Sequence, residues 1–359
     1  MDRRDFLKTT SGAAAAVAGA AVAVSTAHAA DDAQLVPAAL PPISSKNARE
    51  LSFAISGPDT GRGPGESARR LARRIEVLTG GAYKICAIPD AKAGTADIWH
   101  GSAHDLRDAD AAFSYFAGLP GPHGLAPADL DAWMAIGGGQ GLWDELAAAH
   151  GFKPLLAGHT GTAPAIWSQK PLSAESGFQG IRFSAEGLAR EVARGLGAET
   201  VDVLAVDFAS SLQTGAVVAI EGPGAAFAMA AGLPQVAPYA LAAGINRCGV
   251  AQSISIKLSV WESLPDSVQA AFAAAAAEEF RLSNAEARIH EALAWRVMRS
   301  RHGIELRQPA DELINAISRV SDAVVAHVAG ASRSAQRINA SFMAFRAMLP
   351  VPGLGQALT

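Results

Sequence analysis

The sequence predicts an α/β protein of two lobes around a hinge cleft, with a long helix bridging the lobes. Three observations predict it. A β–loop–α–β order opens the folded region, short strands and helices alternate again after residue 180, and 37 residues without glycine or proline run from Asp266 to His302. In the first unit, Leu51–Ile55 (LSFAI) alternates as a strand does, and Glu66–Leu78 is amphipathic with a stop at Thr79-Gly80-Gly81. Tyr83–Ile88 is the next strand, so the pair is parallel with a right-handed crossover. Helices follow at 127–136 and 140–150, then a strand from Phe152 to Leu156. The second unit has strands at Ile181–Phe183, Thr200–Leu204 and Val217–Ile220, with helices at Gly187–Leu196 and Phe208–Thr214. The stretch after Asp266 makes one or two helices, about 55 Å long if continuous. The last helices lie near 309–327 and 332–347. Clefts between two such halves are common small-molecule sites.

The N-terminus carries an export signal. Arg3-Arg4 precede Asp5, Phe6, Leu7 and Lys8, a weakly hydrophobic Ala/Val/Gly run follows, and Ala27-His28-Ala29 offers small residues for cleavage. That is a twin-arginine signal and predicts a periplasmic location. No later stretch reaches about 18 apolar residues without a charge, as a membrane span would. Cleavage leaves about 330 residues, enough for two domains. The division expected is a twin-arginine signal peptide at 1–29, a mobile leader at 30–48, and a first lobe at 49–158 joined by part of 240–262. A second lobe spans 159–239, and 263–359 holds the long bridging helix and C-terminal helices packing on both lobes.

The net charge is −4 with both signs interspersed, so nucleic acid and anionic membrane are not expected partners. Two cysteines, Cys86 and Cys248, make no disulfide framework, although an oxidising compartment would let them pair. Gly137-Gly138-Gly139-Gln140-Gly141 follows a helix and not a strand, which marks a turn between helices and not a dinucleotide cradle. Ser67 lies in no nucleophile elbow, and His100 and His104, four apart, lack a third ligand nearby. The sequence therefore predicts no catalytic residue, no cofactor and no metal site.

Arg182, in GIRFSAEG, ends a strand and then meets a helix. An arginine there needs a partner, and its planar fork suits a carboxylate. The partner is either an internal acid, Glu186 or Glu221, or a ligand. Glu221 closes the buried strand AVVAIEGPG and needs a partner in the same way.

Several passages resemble the solute-binding proteins of TRAP (tripartite ATP-independent periplasmic) transporters, and most of all their 2-oxoacid and lactate-binding branch. They are GGAYKICAIP, GTADIWH, AWMAIGGGQGLWDELAAAHGF, HTGTAPAIWSQKPLSAESGFQGIRF, LGAETVDVLAVDFASSLQTGAVVAIEGP, AGLPQVAPY and VWESLPDSVQAAF, and they run in order from about Leu51 to Ala347. The resemblance implies a two-lobed, non-enzymatic receptor that captures a small carboxylate and passes it to the membrane permease subunits. It implies that Arg182 clamps the ligand carboxylate and that Glu221 stands where the branch helps bind a cation. Phe183, Trp167 and Phe208 become candidate cleft walls.

The chain also departs from the branch. Gly222 replaces a tryptophan, Ala163 a cation-holding glutamine, Lys257 an asparagine, and His104 and Asp105 a tyrosine pair. With them the expectation is that no cation binds tightly and that Glu221 pairs with Lys257 or Arg182. Asp105 favours an amine-bearing ligand. A sensor subunit for a signalling receptor and a periplasmic enzyme are the alternatives on the same scaffold. The branch's swapped-dimer helix has no counterpart in the Pro- and Gly-containing tail 349–359, so a monomer is expected.

Overall fold

The computed structural model describes residues 40, 43, 45, 47–55, 64–88, 95–162, 165–172, 177–222, 224–242 and 244–349. The signal peptide, most of the leader, the loop after the first strand, Ala163 and the tail from 350 lie outside the described residues. No described helix is long and apolar enough to cross a membrane.

The first sheet is built from β1 (Arg49–Ile55), β2 (Tyr83–Ile88), β3 (Ile98–Gly101), β4 (Phe152–His159) and β10 (Ala251–Lys257) in the order β2-β1-β3-β10-β4. β1 is parallel to β2 and β3, whereas β10 returns antiparallel between β3 and β4. The crossover helix α1 (Pro64–Leu78) buries Ala68, Leu71 and Ile75, three and four residues apart and hence on one face. They pack on Leu51, Phe53, Ile85 and Ile254. On the other face lie α2 (Ser114–Ala117), α3 (Pro127–Ala135) and α4 (Gly139–Ala148), where Phe116 stacks between Trp133 and Trp143. Gly138, left-handed at φ +85°, turns α3 into α4, so the glycine run is a structural turn.

The second sheet contains β5 (Ala165–Ser168), β6 (Arg182–Ser184), β7 (Glu199–Thr200), β8 (Ala219–Gly222), β9 (Tyr239–Ala242) and β11 (Glu305–Arg307), ordered β11-β9-β5-β8-β6-β7. β6 is parallel to both β7 and β8, and β5 is antiparallel to β8 and β9. Helices α5 (Leu188–Gly195), α6 (Phe208–Gln213) and α7 (Ala225–Ala230) complete this lobe. The strand expected at 200–204 is only the two-residue edge β7, because Ala205–Asp207 already winds into a 3-10 turn.

The strand-to-strand connections β4 to β5 and β9 to β10 cross between the lobes. At the junction the Thr160 amide donates to the Val250 carbonyl at 3.0 Å, and the Val250 amide donates to Thr160 Oγ1 at 2.8 Å. Gly249 has φ +75°, and a Cβ there would stand 1.7 Å from the Gly161 carbonyl oxygen. Only glycine fits so close a backbone crossing.

After the short α8 (Leu258–Glu262), the glycine- and proline-free stretch forms one helix, α9 (Asp266–Val297), continued by a π turn at Met298–His302. Its first half packs in the first lobe through Phe272, Ala275 and Ala276, and its end packs in the second through Ala294 and Met298. Polar anchors fix each half. Arg70 of α1 donates to Glu279 (2.5 and 2.8 Å) and to Glu286 (2.6 and 3.0 Å). At the other end Glu291 accepts from the Ala225 amide at 2.7 Å and from Trp295 Nε1 at 2.8 Å. A carboxylate at the start of α7 also meets that helix's positive end. Then α10 (Asp311–Gly330) buries Val325 and Val328 against the first lobe and Leu313 and Ile317 against the second, and α11 (Arg333–Met348) follows. Cys86 and Cys248 are unpaired thiols.

Glu279 is fully buried and has Arg70 as its counter-ion. Removing one partner of a buried pair strands the other charge. Arg70→Ala is expected to lower stability by about 3–5 kcal/mol in urea unfolding, with Arg70→Ala/Glu279→Ala recovering part of the loss.

Candidate functional site

The parallel strands β6 and β8 run toward the first lobe, and their ends carry the acids of the site. β6 ends at Ser184, and Ala185-Glu186-Gly187 turns into α5. β8 carries Glu221, only 6% exposed. Its Oε1 accepts from the Asn246 amide at 2.9 Å and its Oε2 from Asn246 Nδ2 at 3.3 Å. Burial pushes the Glu221 carboxyl up to about 7, against the pull of the Asn246 and Ile245 amides, and the charge of Glu186 adds to the rise.

The first lobe contributes the turn after β3. Ser102 caps it, its hydroxyl accepting from the His104 amide at 3.3 Å. Arg107 Nη1 donates across to the Gly187 carbonyl at 2.7 Å, a direct bond between the lobes. Gly187 has φ +59°, and a Cβ there would stand 2.6 Å from His104 Nε2, so the imidazole lies against bare backbone. His104 is 7% exposed, and neither ring nitrogen has a hydrogen-bond partner. Burial, helped by the charge of Arg107, lowers its pKa to about 4, so the ring is neutral at pH 7.

Asp105 and Glu186 come from opposite lobes. Both residues are exposed. Desolvation raises both and the charge of Asp105 raises Glu186 further, while the charge of Arg107 pulls Asp105 down and that of Arg190 pulls Glu186 down. Among the nearby cations, Arg190 is paired with Asp202 and donates to the Ala185 carbonyl.

Several sequence expectations are corrected. Arg182 is not in the cleft. The register Phe183–Ala219 sets it level with Val218, three residues before Glu221, or about 10 Å along the strand. Its exposed side chain donates to the Gly215 carbonyl and reaches neither Glu186 nor Glu221. Lys257 is likewise remote. It closes β10 at the end away from the hinge, where its Nζ donates to the Thr95 carbonyl at 3.5 Å, so it does not pair with Glu221. Phe183 and Phe208 are core residues inside the second lobe and not cleft walls. Trp167 is also fully buried and stacks on Trp295 of α9, its ring centroid 5.6 Å away.

Of the expected site residues, the structure brings together Glu221, His104 and Asp105. It adds Arg107, Glu186 and Asn246. Arg107 has a weak sequence signal, a basic residue three positions after His104, whereas nothing local marks Asn246. No group of three or more His, Cys, Asp or Glu side chains able to hold a metal occurs among the described residues. Both oxygens of Glu221 are engaged by Asn246.

Residues 88–331 match the family model of DctP, bacterial extracellular solute-binding protein, family 7. The chain belongs to this family. It is a TRAP-transporter solute-binding protein that works outside the cytoplasm, and its family is one of receptors and not of enzymes. A curated relative is the monocarboxylate 2-oxoacid-binding periplasmic protein of Nostoc, 24% identical over 78% of this chain and 79% of the relative. Among solved structures, a TRAP transporter solute-binding protein from Bordetella bronchiseptica superposes with a TM-score of 0.78. It is 22% identical over 84% of this chain and 92% of that one, and is a mixed-occupancy dimer with copurified calcium and picolinate. A second, from Colwellia psychrerythraea with bound calcium and pyruvate, has a TM-score of 0.76 and 18% identity over 84% of this chain and 94% of that one. These likenesses establish the fold.

The raised pKa of Glu221 sets a pH dependence. The folded protein keeps this proton to higher pH than the unfolded chain does. Stability is therefore lost between the ordinary carboxyl value of 4.5 and about 7, and the loss is complete above that. Glu221→Gln is expected to match the parent at pH 4.5 and to exceed it at pH 8 by about 3 kcal/mol in urea unfolding.

Proposed function

We propose that this receptor captures a small carboxylate in the interlobe cleft, holds it on Arg107, and delivers it to the permease of a TRAP transporter. The lobes are read as 49–158 with part of 240–262 closing against 159–239. The observation that carries the proposal is the Arg107–Gly187 bond, which sets a guanidinium from one lobe over the helix start of the other. A guanidinium has five N–H donors, and this one spends a single short bond on a carbonyl and has only a 3.8 Å contact with the exposed Asp108. Donors remain for a carboxylate, and closing the cleft presents them to it. The named ligands of the relatives, 2-oxoacids, pyruvate and picolinate, agree in being small carboxylates.

Mass spectrometry of small molecules released from the denatured, freshly purified protein identifies the ligand class. Calorimetric titration then tests the residue. Arg107→Ala is expected to lose about 2–5 kcal/mol of affinity, as for truncation of one side of a buried charge pair. Arg182→Ala, on the far end of its strand, is expected to bind as the parent does; the reverse pattern would return the clamp to Arg182.

The Arg3-Arg4 start supports export by the twin-arginine route. Replacing both with lysine is expected to leave the precursor in the cytoplasm, as cell fractionation would show; unimpaired export would point to the general secretory route.

A further inference from the structure

We propose that the exposed face of α9 rests on an anionic lipid surface, that of the membrane holding the permease, and that Arg288, Arg296 and Arg299 make the contact. This goes beyond the ligand reading above and stands independently of Arg107.

α9 buries one side in the two lobes and turns the other to solvent. From Ala270 to Ser300 the exposed positions recur every three or four residues, a band about 45 Å long. They hold alanine, arginine, Ile289 and Ser300, and no acid. Arg281 is neutralised by Glu278 at 2.8 Å. Arg288, Arg296 and Arg299 form no ion pair among the described residues, and the exposed Arg301 follows them in the π turn. The two acids of this half of the helix, Glu286 and Glu291, turn inward to Arg70 and to the start of α7. The outer face is therefore positive along its second half.

The net charge of −4 belongs to the whole chain. Salt screens charges beyond about 8 Å at physiological ionic strength, so a surface lying against α9 senses the local row of cations and not the sum. The row is straight and rigid, with about 12 Å along the axis from Arg288 to Arg296 and Arg299 less than one turn further. Small alanine side chains separate the arginines, which makes a smooth ridge suited to a plane. Lipid phosphates diffuse laterally and gather under each guanidinium, which holds phosphate through two parallel bonds. Ile289, 48% exposed, lies in the same band and reaches the headgroup level when the arginine stems lie flat.

The test sediments the mature protein with sucrose-loaded vesicles of phosphatidylglycerol and phosphatidylethanolamine, and with vesicles of phosphatidylcholine alone. We expect binding to the first only, falling as salt rises to about 0.3 M. Arg288→Gln/Arg296→Gln/Arg299→Gln is expected to lower this partitioning about a hundred-fold, and lysine at the same three positions to keep it. Lys84→Gln/Arg194→Gln/Arg337→Gln removes the same charge from exposed ion pairs on other elements and is expected to bind within about two-fold of the parent. The proposal is overturned by an arginine variant that binds undiminished, by equal loss in both glutamine variants, or by no preference for the anionic vesicles. Binding confined to vesicles that carry the reconstituted permease also overturns it and makes the face a protein contact. Ligand titration and melting temperature are expected to be unchanged in the arginine variant, so failure here leaves the carboxylate reading standing.

Discussion

The two-ended anchorage of α9 is the constraint on which the rest of the architecture depends. One rigid helix enters the core of each lobe, and each half is fixed by a carboxylate with a full set of donors: Glu279 under Arg70 and Ser67, and Glu291 at the start of α7. A motion of one lobe against the other must therefore pass through the segments between these anchors. That is where the Thr160–Val250 crossing and the close approach of Gly249 to Gly161 lie. Ala287 of α9 sits against the same crossing, since a Cβ on Gly161 would meet its own at 2.7 Å. Small residues at this point let three chain segments pass within backbone contact, and a hinge needs that economy of space.

The cleft differs electrostatically from the rest of the molecule. On the surface, ion pairs such as Arg337–Glu145 and Arg281–Glu278 are solvated and contribute little each. At the cleft Glu221 is buried while Asp105 and Glu186 are exposed; all three carboxyls are raised, and the charges of Arg107 and Arg190 work against the rise at Asp105 and Glu186.

Much of the fold was legible because it follows from local rules. The amphipathic spacing of α1, the glycine turn at Gly138 and the uninterrupted run behind α9 each depend on residues near in sequence. So does the parallel β1–β2 pair, whose short connection through a helix leaves few alternatives. The site was legible only in part. Glu221 stood out because a carboxylate closing an apolar strand is anomalous wherever the strand goes. Arg182 stood out for the same reason, yet its strand has an open end as well as a cleft end, and the choice between them rests on pairing with a neighbour far along the chain. Phe183, Phe208 and Trp167 could not be told from cleft walls by composition, since a lobe core and a cleft lining use the same side chains.

What the sequence by itself determined is therefore the class of molecule: an exported α/β chain with one long helix and with a few acids in apolar company. What the tertiary structure alone decided is which of those charges meet. His104 lies against Gly187 and Arg107 bonds the Gly187 carbonyl because the turns after β3 and β6 meet from opposite lobes, which brings residues 80 apart within a hydrogen bond. Lys257 leaves the site because antiparallel pairing carries the end of β10 away from the hinge. Charge type is a property of a residue, but the position of a charge at one end of a sheet or the other is set by strand direction and register, and those are fixed only when distant segments pair.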